Sequence, residues 1–163
     1  MKVKKPGFKH DESLKEKAVE IFKSMGYNVE YDRFFGKIKI DVFLKKKILL
    51  DNYESWFCFF YDNNEKLQID EINRLLPIVK IVKEEFAKQY TIYHDLQAMV
   101  ITKNGFTEEA LAEARKYCIE LNTIELLLKH KEEFMKNEEK LKKKMKKFLM
   151  KKENKDGNKI LKN

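Results

Sequence analysis

Asp41 lies four residues after Lys37 and two after Lys39. In a strand, where successive side chains point to opposite faces, this spacing gathers one carboxylate, two ammonium groups and the ring of Phe43 on a single surface. Read alone, that is a surface ion-pair patch worth at most about 1 kcal/mol. The cations invite a second reading. Arg33, Lys37, Lys39 and Lys66, with Lys142, Lys143 and Lys146 of the lysine-rich C-terminal region, are the side chains placed to contact nucleic-acid phosphates. Affinity built from such contacts falls steeply with added salt. The other chemistry-bearing residues are sparse. His10, His94 and His130 have no ligand-like spacing, and Cys58 and Cys118 have none suited to zinc. No metal is expected of them, and both cysteines are expected to be buried thiols.

The elements that must position Asp41 follow from periodicity. Between Ser13 and Met25, Leu14, Ala18, Ile21, Phe22 and Met25 recur on one helical face, and Gly26 stands where a C-terminal cap belongs. Tyr27, Val29 and Tyr31 then alternate with polar residues, which predicts a strand with Tyr31 on its buried face. Gly36 marks a turn into a second strand, with Ile38, Ile40, Val42 and Leu44 on one face and Asp41 on the other. After a turn over 51–55, the run 56–61 (WFCFFY) is too apolar for a half-exposed strand and is expected at the sheet centre.

A helix pattern covers 69–88, with Pro77 expected to kink or split it. Leu96 to Thr102 reads as a strand, Asn104-Gly105 as a turn, and Thr107 as the cap of a helix opened by Glu108 and Glu109. A short strand, Ile119 to Leu121, precedes a long helix opened by Asn122 and Glu125 at capping-box spacing. Its last ten residues, from Asn154, are expected to fray. Within it, Phe134, Leu141, Met145, Phe148 and Leu149 form an apolar seam suited to packing against this domain, a second copy or another protein.

Composition sets the outer limits. The 163 residues suit one domain with a tail, and 43% hydrophobic and 12% aromatic content supports a sizeable core. No apolar run reaches the roughly 18–20 residues that cross a bilayer, and the N-terminus lacks the apolar stretch of a signal peptide. A cytoplasmic chain with no membrane partner is the expectation. Of the net charge of +8, residues 131–163 contribute +7, with 13 lysines against six acids. Basicity therefore belongs to the tail, which could attract polyanions or form a solvated helix face.

Two groups of short segments carry a resemblance. The first is Gly26-Tyr27-Asn28-Val29-Glu30 followed by Gly36-Lys37-Ile38-Lys39-Ile40-Asp41-Val42. The second is Met99-Val100-Ile101-Thr102, then Gly105-Phe106-Thr107-Glu108-Glu109-Ala110, closed by Ile119-Glu120-Leu121. In this order and at these spacings, over roughly 13–126, the chain resembles the PD-(D/E)xK restriction-endonuclease-like family, with an Mrr-type or Holliday-junction-resolvase-like core. The resemblance implies an α/β fold ordered α-β-β-β-α-β-α-β, a central mixed sheet flanked by helices, here followed by a long Lys-rich C-terminal helix. It also implies three segments: a basic N-terminal stretch (1–12), the core domain (13–126) and a basic amphipathic tail (127–163).

In that family an Asp on the second strand and a Glu-x-Lys on the third gather a divalent metal and an attacking water. Asp41 matches the Asp. Phe59 and Tyr61 fall on the Glu and Lys positions, and neither a phenyl ring nor a neutral phenol can hold magnesium. The family's helix glutamate falls near Lys15 or Glu16. Asp41 is thus expected to be a vestige, with no cofactor, and magnesium only if other ligands replace the missing ones. The candidates for such replacement are Asp62, Glu65, Lys66 and Glu71, with Lys39 beside Asp41, although alternation turns Asp62 away from that face unless the strand ends or bulges. The expected function is DNA binding by a catalytically inactive nuclease relative. The alternatives are a metal-dependent endonuclease with relocated residues, and a non-catalytic interaction or regulatory subunit acting through the C-terminal helix as a homodimer or with a partner protein.

Overall fold

The computed structural model of the chain describes residues 12–49, 52–89 and 94–160. The N-terminal basic segment falls outside them except for its last residue. The elements run α1 (Glu12–Ser24), β1 (Asn28–Phe35), β2 (Ile38–Leu49), β3 (Asn52–Tyr61), α2 (Ile69–Gln89), β4 (His94–Thr102), α3 (Glu108–Lys116), β5 (Ile119–Thr123) and α4 (Ile124–Ile160). This is the mixed α/β order expected from the sequence, with the long C-terminal helix in place. The chain divides into two compact units, Met1–Leu128 and Lys129–Asn163. Among the described residues no helix is long and apolar enough to cross a membrane.

The first unit is built on a five-stranded sheet in the order β1-β2-β3-β4-β5. Strands β1 to β3 form an antiparallel meander, whereas β3, β4 and β5 are parallel. Parallel neighbours need crossover connections, and α2 and α3 supply them. Strand β3 is central and covered on both faces, which explains its unbroken apolar run. Phe57 and Tyr61 pack toward α2 and α3 with Ile72, Leu75, Val82, Ala110 and Ala114. Trp56, Cys58 and Phe60 pack toward α1 with Ala18, Ile21, Phe22 and Leu127. Each large apolar side chain so buried contributes roughly 1.5–3 kcal/mol.

Several sequence expectations are corrected. The turn expected over 51–55 is shorter: Asn52 already pairs with Leu49, and Tyr53, Glu54 and Ser55 belong to β3. Tyr31 is exposed, because on the edge strand β1 it opens onto a groove beside α1, where Lys15 lies over its ring rather than a packed layer. Pro77 does not split α2. Pro77 and Asn73, whose carbonyl loses its helical donor, are both exposed, so water can serve that oxygen. The cap of α4 is Thr123, whose Oγ1 accepts the Leu126 amide at 3.2 Å, whereas Asn122 is buried and donates to Glu120 at 2.9 Å. Cys118 is exposed with φ +55, a left-handed turn between α3 and β5, so only Cys58 is the buried thiol expected. Residues 154–160 are helical rather than frayed.

The second unit is the continuation of α4 from Lys129. Leu141, Met145, Phe148 and Leu149 are exposed along it.

Candidate functional site

Asp41 sits where the sheet changes its pairing. The first residue pair joining β2 to β3 is Val42 with Cys58, one position beyond it. Ile38 and Ile40 pack on the α2 side, while Val42 and Leu44 pack on the α1 side. The single Ile/Val face predicted for β2 is therefore broken, and the switch falls at Asp41. Two features account for it. On β1, the position opposite Asp41 is Asp32, whose φ of +53 interrupts the regular ladder, as an Asp tolerates better than a branched residue. On the other side, β3 pairing starts only at Val42, so before it the pleat of β2 is held by β1 alone.

Consequently the predicted patch is divided. Lys39 pairs with Asp32 at 3.1 Å. Lys37, in the turn between β1 and β2, is exposed, and Asp41 is half-buried. Arg33 pairs with Glu30 at 3.0 Å, and its guanidinium lies 4.2 Å from the Phe43 ring centroid and 5.1 Å from that of Phe35. With a side chain only 18% exposed, Arg33 spends its charge inward. Lys66 is exposed on the loop after β3, and Lys142, Lys143 and Lys146 are exposed on the second unit.

Phe59 and Tyr61 belong to the α2-side packing. Phe59 meets Phe57 edge to face, with centroids 5.7 Å apart, and Tyr61 is 4% exposed with its hydroxyl accepting from Asn63 Nδ2 at 3.1 Å. Magnesium is usually held by one or two carboxylates together with water and phosphate oxygens. Among the described residues no group of three or more His, Cys, Asp or Glu side chains is assembled for a metal ion. At the positions that the resemblance assigns to Glu and Lys, Phe59 and Tyr61 offer magnesium no carboxylate.

The relocated candidates differ in their surroundings. Glu71 is paired with Arg74 at 3.2 Å, and Glu65 is exposed. Asp62 is different. Strand β3 ends at Tyr61, so alternation no longer constrains Asp62, and its Oδ1 stands 3.7 Å from Lys103 Nζ. That distance allows electrostatic attraction without a hydrogen bond, and Oδ1 is buried with no hydrogen-bond partner among the described residues. Sequence reasoning missed Lys103. Its only signal is topological: Tyr61 pairs in parallel with Thr102, so the next residue of each strand becomes a neighbour.

The surrounding loops hold this end of the sheet together. Leu67 and Phe106 form a β-bridge, Leu67 N donates to Gly105 O at 2.9 Å, and Asn104 Nδ2 donates to Asn63 O at 3.0 Å. Gly105, at φ +84, makes the turn and donates to Thr102 Oγ1 at 3.1 Å. Thr107 then caps α3 by accepting the Ala110 amide at 3.1 Å. Carboxyl ends of parallel strands are where α/β sheets commonly present ligand-binding loops. An open groove of about 490 Å³ is lined by Lys15, Glu16, Val19, Glu20, Lys23 and Tyr31; it contains the two residues nearest the family's helix glutamate, and its Tyr31 pairs across β1 with Val42, the residue after Asp41.

Two other groups are displaced by burial rather than by a functional partner. The Cys58 thiol is pushed well up, mainly by desolvation and secondarily by the charge of Glu120. The Tyr27 phenol is raised by burial first and then by Glu54 beside it.

No protein-family model matches the chain, and no curated protein matches it. Among solved structures, it is similar to the crystal structure of a protein of unknown function, with a TM-score of 0.49 and 18% identity over 71% of this chain and 65% of that one. It is also similar to a repair endonuclease from Pyrococcus abyssi, with a TM-score of 0.46 and 12% identity over 71% of this chain and 47% of that one. The chain thus spans less than two-thirds of the first protein and about half of the second.

Proposed function

We propose that this chain is a catalytically silent relative of the PD-(D/E)xK nucleases that binds DNA through lysines rather than cutting it. The observation that carries this reading is the placement of Phe59 and Tyr61, which fall where the family resemblance expects Glu and Lys and are built into the packing beneath α2. Replacing a site's acid and amine by core aromatics removes metal ligands and adds stability through burial. The element order and mixed sheet support the same ancestry. Exposed Lys37 and Lys66, with Lys142, Lys143 and Lys146, are the phosphate contacts; Arg33 and Lys39 contribute less, being engaged with protein partners.

The test is titration of duplex, branched and single-stranded DNA at several salt concentrations, alongside incubation with Mg²⁺ and Mn²⁺. Binding that weakens with salt at close to one log-log unit per neutralised phosphate, without cleavage, is the expected result. Absence of binding to every form at low salt would remove the proposal.

A second reading, an active endonuclease with relocated residues, is favoured by Asp62 alone, whose buried oxygen beside Lys103 has no hydrogen bond among the described residues. It requires metal-stimulated cleavage that is abolished by both Asp41→Ala and Asp62→Asn.

A further inference from the structure

We propose that residues 131–152 of α4 pair antiparallel with the same segment of a second copy of this chain, about an axis close to Leu141. This goes beyond the DNA-binding reading and does not depend on it. Leu141, Met145, Phe148 and Leu149 are 62%, 60%, 69% and 56% exposed. At 100° per residue they fall within about 100° of arc, forming one stripe rather than scattered surface apolars. Phe134, Leu141 and Phe148 recur every seven residues, the repeat that keeps a seam facing a partner helix.

Charge selects the partner and its direction. The stretch 132–139 holds four glutamates and one lysine, whereas 140–152 holds eight lysines and no acid. A parallel pair would set lysine against lysine and glutamate against glutamate. An antiparallel pair centred on Leu141 instead brings Glu138, on the stripe, level with Lys144 of the second copy, which flanks it, and Phe134 level with its Phe148. Nucleic acid would satisfy the lysines but leave the apolar stripe in water. An anionic bilayer would cover both, yet would also have to receive Glu138, which lies on the stripe itself. A second copy covers the stripe and pairs both signs of charge.

The experiment is sedimentation equilibrium of the full, nuclease-treated chain at near-physiological salt. A dimer is expected. Leu141→Asp, which sets two carboxylates against each other at the axis, should weaken it at least tenfold. Met150→Asp, exposed but off the stripe, should leave it intact and control for loss of helix, which circular dichroism checks directly. Glu138→Lys should weaken the dimer similarly, and adding Lys144→Glu to the same chain should restore it. A monomer at about 1 mM overturns the proposal, including one that instead co-sediments with anionic vesicles. So does a dimer indifferent to Leu141→Asp, equal sensitivity to Met150→Asp, or a charge-swapped chain no tighter than the glutamate variant.

Discussion

Lys103 Nζ stands 3.7 Å from Asp62 Oδ1 across the carboxyl ends of two adjacent parallel strands, although 41 positions separate them in the chain. The carboxylate is 14% exposed and the lysine 46%, so the acid depends on the amine more than the reverse. Removing the amine by Lys103→Met should cost about 1 kcal/mol. That is less than the 3–5 kcal/mol of a fully buried pair, because water reaches the lysine side. The urea midpoint measures it, and an unchanged midpoint would show that the pair contributes nothing.

Arg33 should separate structure from binding. Arg33→Ala removes a guanidinium lying on Phe43 and Phe35 and paired with Glu30, and is expected to cost 1–2 kcal/mol of stability. Lys37→Ala and Lys66→Ala should change stability by less than about 0.5 kcal/mol. Each should make the log-log salt dependence of DNA binding shallower by about 0.9. Thermal unfolding and salt titration of the three variants check this, and the reverse pattern would reassign the roles.

The two cysteines should differ sharply toward a thiol reagent. Exposed Cys118 should react at once in the folded protein, and Cys58 only on unfolding. Because the folded-state value of Cys58 is raised, its contribution to stability is fully present below the unfolded-chain thiol value of about 8.5 and is lost as pH rises from there toward the folded value. Tyr27 acts in the same direction, starting near 10. Stability should therefore decline through the alkaline range, and Cys58→Ala should flatten the first part of that decline while costing packing. Denaturation midpoints from pH 7 to 11 test the sign.

The helix cap offers a separate check. Thr123→Ala, which orphans the Leu126 amide, should destabilise the first unit by about 1 kcal/mol. Thr123→Ser, which retains the oxygen, should recover most of that loss. Equal effects of the two changes would show that the methyl group matters rather than the cap.

Much of the site's framework was legible because it is local. The pattern Leu14, Ala18, Ile21 and Phe22 specifies α1, Thr107 with Glu108 and Glu109 specifies the start of α3, and the apolar run 56–61 specifies a covered strand. Periodicity misled where a neighbour intervened. Tyr31 alternates as if buried but lies on an edge strand, and Asn122 has cap spacing but pairs with Ile101 of β4 as part of β5.

The amino-acid order by itself determined the succession of helices and strands, the concentration of charge after residue 130, and the aromatic identity of positions 59 and 61. These depend on side-chain period and composition, which a linear chain carries without folding. Only the tertiary structure decided which residues become neighbours. It turned Lys39 to Asp32, laid Arg33 on Phe43, and brought Lys103 to Asp62. Strand pairing and crossovers create those approaches, and distances between separate elements are set by register and packing, which no local pattern encodes.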